Sequence, residues 1–333
     1  MPVTASWELD VFGRMRNAKK QAKALYAQSE DYRQAVRTQL ITGIANTYYT
    51  LLMLDEQLDL SRQTETTWKE TVASTRALMN AGLANESAVS QMEAAYYQVQ
   101  SSVLDLQQQI SQVENSLALL LAETPRNYER GMLAKQQFPT DLSIGIPVRM
   151  LSSRPDVRSA ERTLEAAFYG TNAARSAFYP SITLSGSAGW TNSAGSLILN
   201  PGKFLASAVG SLTQPLFNKG QVVAQYRIAR AQQEEAALGF QQTLLNAGSE
   251  VNDALIAYQT SQGKRLLLDK QIASLQTALQ STSLLMEHGN TTYLEVLTSR
   301  QSLLSAQLSQ TANHFTEIQS LINLYRALGG GQE

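Results

Sequence analysis

The sequence has no cysteine and only two histidines, His288 and His314, in 333 residues. That excludes disulfides, thiolate metal sites and cysteine nucleophiles, and it leaves too few imidazoles for a metal or acid–base cluster. No cofactor, no metal and no enzymatic constellation is expected. Charge is nearly balanced, with 27 Lys and Arg against 28 Asp and Glu, so no basic field exists to attract nucleic acid. No apolar run reaches the roughly 18 residues a membrane-spanning helix needs. Met1-Pro2-Val3-Thr4 enters strand-like sequence without a basic or apolar leader. Proline is scarce, eight in all, and absent from Gln221 to Leu328.

That proline-free stretch reads as two helices folded back at Glu287-His288-Gly289-Asn290. Leu268, Ile272, Leu275, Leu279, Thr282 and Met286 recur at alternating spacings of four and three. So do Leu294, Leu297, Gln301, Leu304, Leu308, Thr311, Phe315, Ile318, Ile322 and Tyr325 on the return arm. A 3.5-residue period gives a thin apolar seam, as in helices packed side by side over a long distance. The same object occurs earlier. Leu54, Leu58, Ser61, Glu65, Trp68, Val72, Thr75 and Met79 carry a seam outward, and Met92, Ala95, Val99, Ser102, Leu106, Val113 and Leu120 return it. The turn Met79-Asn80-Ala81-Gly82 precedes Met286-Glu287-His288-Gly289 by 207 positions. A period this long means two structural halves, not a solenoid.

In order, residues 1–13 alternate apolar (Val3, Ala5, Trp7, Leu9, Val11) with polar and read as a half-buried strand. Residues 14–124 form the first helical hairpin. Its first helix approaches ~100 Å at 1.5 Å per residue, more than a compact domain absorbs. Residues 125–153, with Pro125, Pro139 and Pro147, are a connector. A helix over 154–178 starts at Pro155 with Asp156 in its first turn, so Arg154 and Asp156 read as connector and cap residues. Residues 179–219 hold a strand pair, Ser181 to Trp190 and about Leu205 to Phe217, around a Gly/Ser/Asn loop. The second hairpin is 220–328 and the tail 329–333. The fold class is mainly α with a small antiparallel β part. Each half should read helix, strand, loop, strand, hairpin, and the first half begins at its second strand. Roughly fifty residues and an export signal are therefore expected ahead of Met1.

The strands place Ser, Thr and Gly on one face and aliphatics with Trp7 and Trp190 on the other. Such strands alone fit a soluble sheet. Together with the long hairpins they fit a closed barrel pooled from several chains, lipid outside and water inside, because a bilayer tolerates no open sheet edge.

Arg154-Pro155-Asp156-Val157-Arg158-Ser159-Ala160-Glu161 and Phe178-Tyr179-Pro180-Ser181-Ile182-Thr183-Leu184 resemble the hallmark segment of TolC-like outer-membrane efflux factors of the NodT/OprM type. Trp7-Glu8-Leu9-Asp10-Val11-Phe12-Gly13-Arg14 resembles that family's second-strand motif. Ile146-Pro147-Val148-Arg149-Met150-Leu151 and Tyr293-Leu294-Glu295-Val296-Leu297 are also typical of it. The resemblance implies a homotrimer whose strands form a twelve-stranded barrel in outer-membrane lipid and whose hairpins form a helical tunnel across the periplasm. Residues 125–153 and the tail would belong to a belt around the tunnel. Partners would be a periplasmic adaptor (a membrane fusion protein) and an inner-membrane pump of the resistance–nodulation–division (RND) class. Function would be passive export. A lipid anchor is common in the family, and its cysteine would precede Met1.

By the same resemblance the periplasmic aperture falls on Glu295 and Thr298, the second being a departure from an acidic position. Three symmetry-related Glu295 carboxylates would make a cation-selective, pH-sensitive ring; an isolated one would be a solvated helix carboxylate. Adaptor contact would fall on the hairpin tips: Met79, Asn80, Gly82, Ala84, Asn85 and Ser87 in the first, and Glu287, His288, Gly289, Asn290 and Thr291 in the second. The same residues also serve ordinary turn chemistry. Trp7, Tyr179 and Trp190 are candidate membrane-interface aromatics, Tyr179 equally a packing residue at the joint before Pro180. A competing reading is a soluble coiled-coil scaffold, which leaves the strands unexplained. Another is a truncated, non-functional channel fragment.

Overall fold

The computed structural model describes residues 2–136, 152–190, 204–288 and 292–330. The elements are β1 (Pro2–Leu9), α1 (Arg14–Asn80), α2 (Glu86–Leu120), a short 3-10 turn (Leu133–Lys135), α3 (Pro155–Ser176), β2 (Ser181–Trp190), β3 (Phe204–Thr213), α4 (Gln221–Glu287) and α5 (Tyr293–Ala327). The protein is thus mainly helical with one small antiparallel sheet. The two hairpins repeat to the residue. Arg14 and Gln221, Asn80 and Glu287, Glu86 and Tyr293, and Leu120 and Ala327 are each 207 positions apart. Both long helices start just after a left-handed glycine, Gly13 at φ 76° and Gly220 at φ 77°, a conformation that costs glycine nothing.

Two compact units divide the chain, Met1–Ala35 with Ser152–Asn246, and Val36–Leu151 with Ala247–Glu333. The first holds the sheet, in the order β1-β2-β3 with both pairings antiparallel. The register pairs Trp7 with Leu184 and Thr4 with Ser187, and Ser187 in turn with Ser207. Because successive side chains alternate faces, Val3, Trp7, Leu184 and Leu212 share one face, and Thr4, Glu8, Thr183, Ser187, Ser207 and Ser211 share the other. Two strands, β1 and β3, are shorter than the alternation predicts. β1 ends at Leu9 because Asp10 turns to accept from the backbone N–H groups of Met15 (3.0 Å) and Arg16 (2.8 Å), capping α1. β3 ends at Thr213, not Phe217, since Pro215 has no N–H for the ladder.

Against the start of α1 lies α3. Asp31 pairs with Arg158 at 3.0 Å, Gln28 donates to the Thr163 hydroxyl at 2.8 Å, and Lys20 stands 5.2 Å over the Tyr169 ring. Gly170 admits the Gln21 amide: an added Cβ would stand 2.9 Å from Gln21 Nε2, so a larger residue would make that side chain move aside. The start of α3 follows expectation, with Pro155 in its first turn and Asp156 held by Arg154 (2.7 Å) and the Val157 N–H (2.9 Å). Burial pushes the Asp156 carboxyl up, but the Arg154 guanidinium and the backbone donor outweigh it and leave the pKa lowered.

The second unit contains both hairpin seams. Leu54, Leu58, Ser61, Trp68 and Thr75 are buried along α1, as the heptad spacing requires. Along α2 the buried set is Met92, Ala95, Val99, Val103, Ile110 and Leu117, whereas the predicted Ser102 is exposed. The seam there follows the 3.6-residue turn of a straight helix and drifts one position off a strict heptad. Leu294 and Tyr325, at the two ends of the α5 stripe, are likewise exposed. Trp68, 1% exposed, is the largest fully buried side chain among the described residues, packed on Met92, Ala95, Val99 and Leu297, so it joins the first hairpin to α5. Two polar groups on the seams are paired: the Thr75 hydroxyl donates to the Thr71 carbonyl at 2.9 Å, and the buried Asn313 amide donates to the Ser261 carbonyl at 2.8 Å. Such pairing removes the cost of burying them.

The connector is firmly seated where it is described. Leu133 is fully buried against Leu52 and Ile318. Arg130 pairs with Asp55 of α1 at 3.1 Å and Glu114 of α2 at 3.2 Å. Its motif Ile146-Pro147-Val148-Arg149-Met150-Leu151 lies outside the described residues.

Candidate functional site

A surface that works on passing solutes has to be built from side chains left facing water, and two such regions stand out. The first is the hydroxyl face of the sheet. Ser187 and Ser207 hydroxyls lie 2.8 Å apart across β2 and β3, and Thr183 meets Ser211 in the same way. One carboxylate, Glu8, shares this face, and Arg14 clasps both its oxygens at 2.6 and 2.7 Å. The opposite face is apolar and uncovered, with Trp7 67% exposed. Tyr179 is half-exposed and stacks on Phe12, centroids 4.7 Å apart and planes within 9°. Its ring therefore ties the end of β1 to the entry of β2. The side chain of Trp190 lies outside the described residues.

The second region is the hairpin tips. After α1, Gly82 takes φ 78°, the Gly82 N–H bonds the Met79 carbonyl and the Leu83 N–H reaches back to Leu78 at 2.8 Å. That closes the helix end as a left-handed cap requires. Asn85 then caps α2 by accepting from the Ala88 N–H at 2.8 Å. Asn80, Ala81 and Ser87 are exposed, Met79 and Ala84 half-buried, and Leu83 stands 77% exposed between them. At the second tip His288 is exposed, its ring Nδ1 2.8 Å from the Leu284 carbonyl. Gly289, Asn290, Thr291 and the Glu287 side chain lie outside the described residues.

Glu295 sits in the exposed first turn of α5, where a negative charge suits the helix N-terminus. Thr298 is one turn on and exposed, its hydroxyl donating to the Leu294 carbonyl at 2.8 Å. The two share a helix face near the second tip. Two features escaped the sequence: the Asp55–Arg130–Glu114 cluster and a half-buried Arg300 beside Trp68. Arg130 had no signal, since nothing local marks which connector cation turns inward. Arg300 had one, because the repeat sets it against Glu93.

Among the described residues no helix is long and apolar enough to cross a membrane, and no group of His, Asp or Glu is placed to hold a metal. The profile of the outer membrane efflux protein family matches residues 1–123 and 146–330. The solvent efflux pump outer membrane protein SrpC of Pseudomonas putida is 32% identical over 339 residues, covering 99% of this chain and 70% of that protein. The cation efflux system protein CusC of Escherichia coli O6:H1 is 29% identical over 330 residues, covering 99% and 72%. Among solved structures, the open state of the MtrE outer membrane channel of Neisseria gonorrhoeae superposes with TM-score 0.88 at 29% identity, over 99% of this chain and 74% of that one. The chain belongs to the outer membrane efflux protein family and is an outer-membrane channel component of an efflux system, extending into the periplasm.

Proposed function

We propose that three copies pool their strands into one barrel and their hairpins into one tunnel, forming a passive conduit with no chemistry of its own. The observation that carries this reading is the sheet. Both its outer strands, β1 and β3, have an unpaired edge among the described residues, one face is apolar and the other is lined by hydroxyls. In a bilayer such edges must be closed, and further copies of the same strands close them without new sequence. The apolar face then meets lipid, with Trp7 and Tyr179 toward its boundary, and the Ser/Thr face meets water.

On this reading the tips around Gly82 and His288 dock a periplasmic adaptor, which couples the conduit to an inner-membrane pump of the RND class. The connector forms part of a belt around the tunnel. Glu295 from each copy lines the periplasmic aperture, with Thr298 adding hydroxyls in place of a second acidic ring. The names of the relatives speak of solvent in one case and cations in the other. A conduit of one architecture serving both leaves the choice of cargo to the pump.

The test is mass and conductance together. Detergent-solubilised protein should run as a trimer, and planar bilayers should show channels whose cation selectivity drops with Glu295→Gln. Conduction with unchanged selectivity would remove Glu295 from the aperture. A monomer or dimer soluble without detergent would replace the channel by a scaffold.

A further inference from the structure

Arg300 lies where α1, α4 and α5 meet around a recess of about 190 Å³. Gln63, Thr64 and Thr67 of α1, Leu279 of α4 and Gln307 of α5 line it, with the Trp68 ring at its side. The guanidinium is half-buried and forms no hydrogen bond or ion pair among the described residues. Its Nε is closed off from water with no acceptor. An arginine carries five N–H donors in a rigid fork and never gives up its charge. A dehydrated donor without an acceptor is the costly arrangement that folded chains avoid.

The neighbours do not supply what is missing. No carboxylate lines the recess. Trp68 offers its face at 5.9 Å from the guanidinium carbon, the outer limit of a cation–π contact, and a ring face engages the charge while leaving the enclosed Nε–H without an acceptor. Thr64 and Thr67 donate to the carbonyls of Leu60 (2.8 Å) and Gln63 (3.0 Å) within their own helix, and neither hydroxyl oxygen accepts a hydrogen bond from the guanidinium. Burial accordingly lowers the Arg300 pKa, opposed by the charge of Glu70, an exposed residue outside ion-pair reach.

The internal repeat sharpens the anomaly. Subtracting the 207-residue offset of the hairpins from Arg300 gives Glu93, and the counterpart of Arg76 is Ser283. In the first hairpin Arg76 and Glu93 close an ion pair across α1 and α2. In the second, the acid has become Arg300 and the base has become a serine. The duplication has therefore reversed the charge on α5 and deleted its partner on α4. Among the described residues, no acceptor is placed on the Arg300 Nε.

We propose that this recess is a seat for a carboxylate or similar oxyanion, held by Arg300 with the Gln63 and Gln307 amides beside it. One source of that group is a free anion in the surrounding water. The other is an acidic side chain of a second copy, which rests on the trimeric reading above.

Trp68 makes the seat observable. With Trp7→Phe and Trp190→Phe it becomes the sole tryptophan of the full chain, which has three. Iodide, added to the detergent-solubilised protein at constant ionic strength, should quench it saturably. Acetate should relieve the quenching, Arg300→Gln should abolish it, and Arg300→Lys should keep part of it. Quenching by neutral acrylamide should stay equal in all variants, which guards against misfolding. If a second copy's acid fills the seat, iodide has no effect on wild type, and Arg300→Gln instead makes trimer dissociation less sensitive to salt. Absence of saturable quenching together with equal salt sensitivity in wild type and Arg300→Gln overturns the proposal. Should the protein prove not to be trimeric, the free-anion arm still reads out on its own.

Discussion

Replacing Arg130 by methionine should release the connector from the first hairpin. Arg130 is 16% exposed at the side chain and bridges Asp55 at 3.1 Å and Glu114 at 3.2 Å, so one cation neutralises parts of two carboxylates on two helices. Methionine keeps most of the stem's packing and removes only the charge and the donors. The two acids are then left facing each other, Glu114 nearly enclosed and Asp55 a third exposed. Breaking a buried pair from one side costs about 3–5 kcal/mol, and partial hydration of Asp55 argues for the lower end, about 3 kcal/mol. The Leu133 anchor, a leucine buried against Leu52 and Ile318, opposes release with about 2 kcal/mol of apolar burial and is untouched. Opening should therefore be local. Amide hydrogen exchange of residues 126–136 should accelerate by about two decades, since each decade is about 1.4 kcal/mol, while the helix seams keep their protection. Adding Asp55→Asn and Glu114→Gln to the Arg130→Met chain should restore slow exchange. Unchanged exchange in the single variant would refute the idea that this ion cluster seats the connector, and so would a triple variant as fast as the single.

Three further outcomes follow from the same reasoning. Burial, reinforced by Asp59 and Glu114 and opposed by Arg130, raises the Asp55 pKa above 3.8, so the folded state holds this proton more tightly than the unfolded chain. Its contribution is complete below that value and is lost as pH rises through the raised pKa; Asp55→Asn should flatten this slope in thermal midpoints followed against pH, and an unchanged slope would contradict it. Trp68→Ala should cost about 3–5 kcal/mol in chemical unfolding, against under about 0.5 for the exposed Leu119→Ala. Gly82→Ala and Gly43→Ala make one chemical change with opposite signs, since neither added Cβ has a neighbour within 4 Å. The first is left-handed at φ 78° and should lose about 1–2 kcal/mol, whereas the second, within α1, should gain about 1 kcal/mol, both read from thermal midpoints.

The periodic parts of the chain were readable in advance because their physics is local. Heptad spacing at Leu54, Leu58, Ser61 and Trp68 needs only the geometry of one helix to say which face is buried. The offset between the Met79 and Met286 turns needs only comparison of the chain with itself. Alternation around Trp7 and Ile182 likewise fixes two faces for each strand. Ends were less secure. Asp10 left β1 to cap a helix, and the α2 seam slipped from Ser102 to Val103, because caps and drift depend on what the next element offers.

What no spacing rule could supply is which distant groups meet. Arg130 is one of several cations in or near the connector, and only the packed fold turns it toward Asp55 and Glu114, on the two arms of the first hairpin. Tyr179 stacks on Phe12 for the same reason, the pairing of β1 with β2 having brought their ends together. Arg300 stands between the two cases: the repeat marked it as the odd member against Glu93, while its enclosure beside Trp68 came from the packing of three helices. Periodicity is written in neighbours along the chain, so the sequence alone carried the elements, the faces and the duplication. Desolvation and ion pairing are properties of neighbours in space, so the latch and the orphaned guanidinium existed only once the helices had packed.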